Sequence, residues 1–219
     1  MMTLVSAMRL SLEAAFHESE LIDQLCLCAL TATCNVECIR TLTASVAPSL
    51  SAAALERTRE AVFQCIAVAG APRVIDALNV FREACGAHAN QLSTAVPASR
   101  DTAAMAAWPE RGAATFAAVY DEKATLVRTV MRRGAPSLEL VIVSAIYGAV
   151  LADESLPLLT RELINCICLR AMSAEPQAVG HEKAALRLGA NEAQINAMRA
   201  AALAALRHHV LAMHAKLEL

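Results

Sequence analysis

Apolar positions along the chain recur at three- and four-residue spacings from one end to the other, and no stretch keeps the strict alternation that marks a strand. This periodicity predicts helices at about 4–16, 19–32, 35–47, 52–69, 72–89, 109–133, 136–152, 157–173, 176–188 and 191–216. The breakers fall between them. Pro72, Pro109, Pro136, Pro157 and Pro176 suit first-turn positions, where the missing N–H has no intrahelical partner to lose. Gly70, Gly134 and Gly189 suit C-terminal caps, and Asn191 with Gln194 has the spacing of a reciprocal cap before a long last helix. The stretch 90–107 is rich in Ala, Ser and Thr and holds Pro97 and Arg100-Asp101, so it reads as a linker. The expected organisation is an all-α chain with a first helical half at 1–89, a linker at 90–108 and a second helical half at 109–219.

Composition narrows the class. The chain has 219 residues, 57% of them hydrophobic, and 48 are Ala. That is the reverse of a disordered composition. Lys and Arg total 19 against 21 Asp and Glu, so no basic excess points to nucleic acid. Eight Cys in this length are too dilute for a disulfide scaffold, and their scatter over apolar segments fits a reducing, intracellular compartment. Cytoplasm and mitochondrial matrix fit equally. The mean hydropathy of +0.44 comes largely from Ala. The strongest apolar run, Leu138 to Leu151, is interrupted by Glu139 and is too short to span a bilayer. Glu13, Glu18 and Glu20 argue against a secretory signal.

The two halves share a weak internal repeat. Glu20-Leu21-Ile22 matches Glu162-Leu163-Ile164 at an offset of 142, which also pairs Leu25 with Ile167, Cys26 with Cys168, Leu27 with Leu169 and Ala29 with Ala171. Each segment runs on into a second helix, a small-residue turn (Ala47-Pro48, Gly189-Ala190) and a third helix, the arrangement of a helical unit that buries its face against its own copy.

Several short motifs carry a family resemblance. Thr160-Arg161-Glu162-Leu163-Ile164, then His181, then Arg187-Leu188-Gly189-Ala190-Asn191-Glu192, resembles the carboxymuconolactone decarboxylase family, which includes the AhpD-like alkylhydroperoxidases. In the first half, Val68-Ala69-Gly70-Ala71-Pro72 through Ala77-Leu78 is similar to the family's Tyr-x-Gly-x-Pro…Ala segment. The region from Phe116-Ala117-Ala118-Val119-Tyr120 to Tyr147-Gly148 resembles the lead-in helices of tandem members. The likeness covers roughly 18–89 and 110–205. It implies an AhpD-like helical bundle of two degenerate repeats that assembles into oligomers.

The resemblance also sets expectations for chemistry. The AhpD-like pattern places Glu, Cys-x-x-Cys and His in sequence, with a thiolate as the attacking species and a second Cys to resolve it. Counted from Glu162, the two Cys positions hold Ala174 and Gln177 and the His position holds His181. Counted from Glu20, they hold Ala32, Asn35 and Ile39. The decarboxylase branch needs no thiols, so Glu162 and His181 are the one catalytic pair the resemblance suggests, one moving a proton while the other stabilises charge. The bland alternative is a helix-start carboxylate with a partly exposed His. Cys34 and Cys38 stand at i, i+4, which on one helix shares a face. They are either a dithiol or two small buried hydrophobes. Cys26 with Cys28, and Cys166 with Cys168, are i, i+2 pairs and point to different sides of their helices. His208, His209 and His214 suit a solvated helix end, and Arg128, Arg132 and Arg133 suit the negative end of a helix dipole. Trp108 reads as a linker residue pinned to the core. No phosphate loop, dinucleotide fingerprint or hydrolase elbow is present, so neither cofactor nor metal is expected.

Three functions follow. The adopted reading is a non-catalytic helical protein acting as a scaffold or subunit, with protein partners in a homo- or hetero-oligomer, no nucleic acid and no membrane span. The second is a decarboxylase acting on a small lactone or keto-acid through Glu162 and His181. The third is a thiol peroxidase using Cys34 and Cys38.

Overall fold

The computed structural model describes residues 3–217. Among them there is no strand, and the expected all-α class holds. The chain forms two compact units, Met1–Ser93 with Leu156–Leu219, and Thr94–Ser155. These boundaries differ from the division at 90–108 drawn from composition, because the second unit begins inside that stretch and ends well short of the C-terminus.

In the first unit, α1 (Leu4–Glu13), α2 (Ser19–Ala32), α3 (Val36–Val46), α4 (Ala52–Gln64), α5 (Ile66–Ala69) and α6 (Ala71–Ala84) are joined by α10 (Leu158–Ala171), α11 (Glu175–Arg187) and α12 (Glu192–Leu217). The centre is the pair α2 and α10, packed on each other and surrounded by the rest. Every residue of α2 from Ile22 to Ala32 is buried, and so is every residue of α10 from Arg161 to Leu169. A helix apolar on one stripe lies at a surface, whereas these two are buried on every side, polar residues such as Asp23, Gln24, Glu162 and Asn165 included, and so sit at the centre of the unit. Their small side chains, Cys26, Cys28, Ala29, Cys166, Cys168 and Ala171, let the two backbones approach.

The ends of α2 and α10 repeat one turn. Cys34 (φ 56°) and Ser173 (φ 58°) both occupy the left-handed region. Asn35 N–H donates to Leu30 C=O and Ala174 N–H to Leu169 C=O, each at 2.9 Å. These turns correspond at an offset of 139, Cys34 to Ser173, while the residue match gave 142. The difference is just under one helical turn, so the matched positions keep nearly the same face.

The expected helix signals hold at most positions. Pro72, Pro109, Pro136 and Pro176 lie in first turns, and Pro157 caps α10. Gly70 (φ 83°) and Gly189 (φ 111°) occupy conformations that side chains resist. Gly134 closes its helix, α8 (Ala124–Gly134), without positive φ. Asn191 and Gln194 exchange side-chain to backbone bonds, both 3.0 Å. Asn191→Ala should lower stability by about 1 kcal/mol in a thermal melt followed by circular dichroism. A melting temperature equal to the wild type would show that α12 does not depend on its cap.

Two predicted helices are broken. The span 52–69 stops at Cys65, the C-cap of α4, before the single turn of α5. The span 109–133 divides at Asp121, whose φ of 50° ends α7 (Trp108–Tyr120) ahead of α8 (Ala124–Gly134). These belong to the second unit, which continues through α9 (Pro136–Val141) into a π-helical segment, Ile142–Leu151. Phe116, Tyr120 and Tyr147 gather there. The Phe116 ring stands 4.4 Å from Tyr120 and 4.8 Å from Tyr147, the latter edge-to-face. The presumed linker is held by polar side chains rather than left loose. Trp108 Nε1–H and Arg111 donate to Ser99 C=O, at 3.2 and 2.9 Å. Ser99 Oγ donates to the Asp153 carboxylate at 2.5 Å. Arg128 and Arg132, placed by sequence at a helix end, both donate to Glu139, at 2.5 and 3.2 Å.

Candidate functional site

The carboxylate and imidazole that the sequence selects do meet. The second turn of α10 carries Glu162, the middle of α11 carries His181, and their Oε2 and Nδ1 atoms are 2.8 Å apart. Both are buried, at 1% and 5% exposure. The helix-start carboxylate with a partly exposed His, weighed from sequence, is therefore corrected: Glu162 lies inside α10, and both groups are in the interior. The left-handed turn at Ser173 folds α11 back along α10 and brings two residues 19 positions apart into contact. Asn165 Nδ2 also donates to Glu162 Oε1, at 3.3 Å. The geometry permits a proton to pass between carboxylate and imidazole.

Beside this pair lies a network that sequence spacing did not indicate. Glu182, next to His181, is 4% exposed and accepts two bonds from Arg170 (2.7 and 2.8 Å) and two from Arg199 (3.0 and 2.7 Å). Burial pushes its carboxyl upward, but the two guanidinium groups outweigh that and hold its pKa below the usual carboxylate range. The network ties α10, α11 and α12 together. The only trace of it in the sequence is an acid flanking the chosen His.

The thiols divide by environment. Cys28, Cys65 and Cys168 converge in the core, with the Cys168 and Cys65 sulfurs 3.6 Å apart and Cys168 donating to Cys28 C=O at 3.4 Å. Burial pushes the Cys28 and Cys65 thiols well up, and Cys26 up to about 12, so these are neutral, unreactive groups at physiological pH. Cys34 is exposed and Cys38 half-buried. The expectation that Cys34 and Cys38 share a helix face changes form. Cys34 precedes the Asn35 N-cap in the left-handed turn, and only Cys38 lies in α3.

Cavities open on the first unit. One, of about 450 Å³, is lined by Phe16, Leu163, Thr160 and Gln194 together with Glu20 and Arg57. Arg57 holds Glu20 by two bonds of 2.7 Å, so the first-half counterpart of Glu162 is committed to an ion pair. The second, of about 280 Å³, brings Cys34 and Cys38 together with His208 and His209. Neither Glu162 nor His181 lines either cavity. Among the described residues, no group of three or more His, Cys, Asp or Glu is arranged to hold a metal ion. No helix among them is long and apolar enough to cross a membrane.

Residues 142–215 match the family model described as the Carboxymuconolactone decarboxylase family. The matched segment runs from the π-helical segment through α10 and α11 and most of α12, and it contains both Glu162 and His181. The resemblance drawn from the motifs holds there. No curated protein and no solved structure matches the chain.

Proposed function

We infer that this chain, carboxymuconolactone decarboxylase-like over residues 142–215, is a non-catalytic helical module that serves as a scaffold or subunit of a larger protein assembly. The observation that carries this reading is the position of the acid–base pair. Glu162 and His181 are buried against each other in the helix packing and line neither described cavity, so a substrate in either one would not touch them. A general base must come within hydrogen-bond reach of the proton it takes. In this setting the pair acts as a buried polar tie between α10 and α11.

The partner side of the reading rests on exposed apolar surface. Helix α8 has no buried residue and exposes Leu126 (63%) and Val130 (57%), and α9 exposes Leu140 and Val141. Apolar side chains grouped in this way mark protein contacts. We further propose that the chain consists of two degenerate repeats, supported by the matching turns at Cys34 and Ser173, and that it works in a reducing compartment, which its eight free cysteines suit.

The second reading is a decarboxylase using Glu162 and His181, favoured by their 2.8 Å contact. One experiment separates the two. The native protein is sized by light scattering and assayed with carboxymuconolactone, alongside His181→Ala. The scaffold reading expects a hetero-assembly and no turnover. It also expects His181→Ala to lose about 2 kcal/mol of stability, because Glu162 is left without its imidazole partner. A free homo-oligomer that consumes the lactone, and stops doing so in His181→Ala, would overturn it.

A further inference from the structure

The cavity beside α3 gathers three features that are far apart in the sequence. Its lining includes Cys34 from the turn into α3, Glu37 and Cys38 from the first turn of α3, and His208 and His209 from α12. Six of the eight cysteines are buried, and the two that are not both face this one space. The residue between them is also unusual. Asn35 is the N-cap of α3 but makes no side-chain cap. Its Nδ2 donates instead to Thr33 Oγ1 at 2.6 Å, which turns Oδ1 toward His208 Nδ1, 3.0 Å away. Thr33 spends its own hydroxyl proton on Ala29 C=O at 2.9 Å, which fixes the orientation of the amide. His208 must then carry its proton on Nδ1, and in the neutral ring Nε2 is the basic atom.

We propose that Cys34 and Cys38 form a dithiol modification site that is oxidised to an intramolecular disulfide by a low-molecular-weight disulfide, with the imidazoles of His208 and His209 accepting the thiol proton. The inference is independent of the scaffold reading. Cys34, exposed and outside the helix, reacts first. Its thiolate attacks one sulfur of the oxidant, the oxidant's S–S bond breaks, and a mixed disulfide forms. The released thiolate takes up the proton that left Cys34. Cys38 is half-buried, and burial and Glu37 push its thiol up and keep it protonated until the second step. It then gives up its proton, bonds to the Cys34 sulfur and expels the second small thiol. The protein loses two electrons and two protons, and one disulfide becomes two thiols. The cavity of about 280 Å³ gives the substituents of a small disulfide room beside Cys34.

The test uses the full reduced chain and oxidised glutathione, read by intact mass and by mapping of non-reduced peptides. The wild type should lose two hydrogens, retain no glutathione and yield a Cys34–Cys38 linked peptide, with the buried cysteines unchanged. Cys38→Ser should trap one glutathione on Cys34, and Cys34→Ser should remain unmodified. The groups facing the cavity that titrate are Cys34, Glu37, Cys38, His208 and His209. Replacing both histidines with Gln should slow the first step by more than about tenfold at neutral pH and leave the rate unchanged in alkali, where the thiol ionises unaided. Retention of glutathione by the wild type, labelling of Cys34→Ser, or oxidation by a hydroperoxide but not by the disulfide would each overturn the proposal.

Discussion

Gly148→Ala should destabilise the unit 94–155 by about 3 kcal/mol or more, at the top of the range for overpacking. A Cβ at Gly148 would stand 2.7 Å from the Trp108 carbonyl carbon, and one at Gly112 would stand 2.9 Å from Gly148 N. Here α7 and the π-helical segment cross backbone against backbone, and the two glycines form the crossing. The colliding atoms are main chain, so no rotamer change can relieve them. Separating the helices would break the packing around Phe116 and Tyr147, which are 1% and 4% exposed. Hydrogen exchange over 108–120 and 142–151 reports the effect directly and should rise sharply in the variant, while exchange in α2 and α10 changes little. Gly180→Ala is the control. Gly180 lies inside α11, has no positive φ, and its added Cβ would meet nothing within 4 Å. There the same substitution should stabilise by about 0.5–1 kcal/mol through lower backbone entropy in the unfolded chain. Equal effects at the two positions would show that the crossing is not as close as described.

Much of the fold is legible because the chain punctuates its helices chemically. Prolines, the Asn191–Gln194 pair and the glycines at 70 and 189 mark starts and stops that do not depend on distant contacts. The breaks at Cys65 and Asp121 carry no such mark. Both interrupt a stretch whose apolar periodicity continues past the break. The residue matches between the two halves gave a register just under one helical turn away from that of the similar turns at Cys34 and Ser173. In Ala- and Leu-rich helices, sliding by about a turn keeps apolar facing apolar, so composition cannot fix the register.

The site divides along the same line. Glu162 and His181 were legible as a pair through the family resemblance, and the fold does bring them together. Their burial was not legible, because it depends on how the helices of the unit pack around α10 and α11. Cys34 and Cys38 were visible as a pair close in sequence. The cavity they share with His208 was not, since 173 residues separate Asn35 from the histidine it holds. Glu182 was missed for a related reason: its two arginines come from different helices at unrelated spacings.

Glu182→Gln should therefore be the most damaging polar substitution in the first unit, costing about 3 kcal/mol at neutral pH, near the lower bound for breaking a buried ion pair. The lower bound applies because the Arg199 side chain is 43% exposed and water compensates part of its loss, whereas Arg170 is 15% exposed. For a chain of this size the melting temperature should fall by roughly 6–12 °C. The pH dependence separates charge from packing. The folded pKa of Glu182 lies below its unfolded value of about 4.3, since Arg170 and Arg199 favour the carboxylate more than burial disfavours it. Its stabilisation is complete above the unfolded pKa and is lost as pH falls through the folded one. The gap between wild type and Glu182→Gln should thus be full at pH 7 and close progressively in acid, while any loss from altered packing would persist at every pH. A gap that stays constant from neutral to acid would show that the carboxylate's charge contributes nothing, and that α10, α11 and α12 are joined by their apolar faces alone.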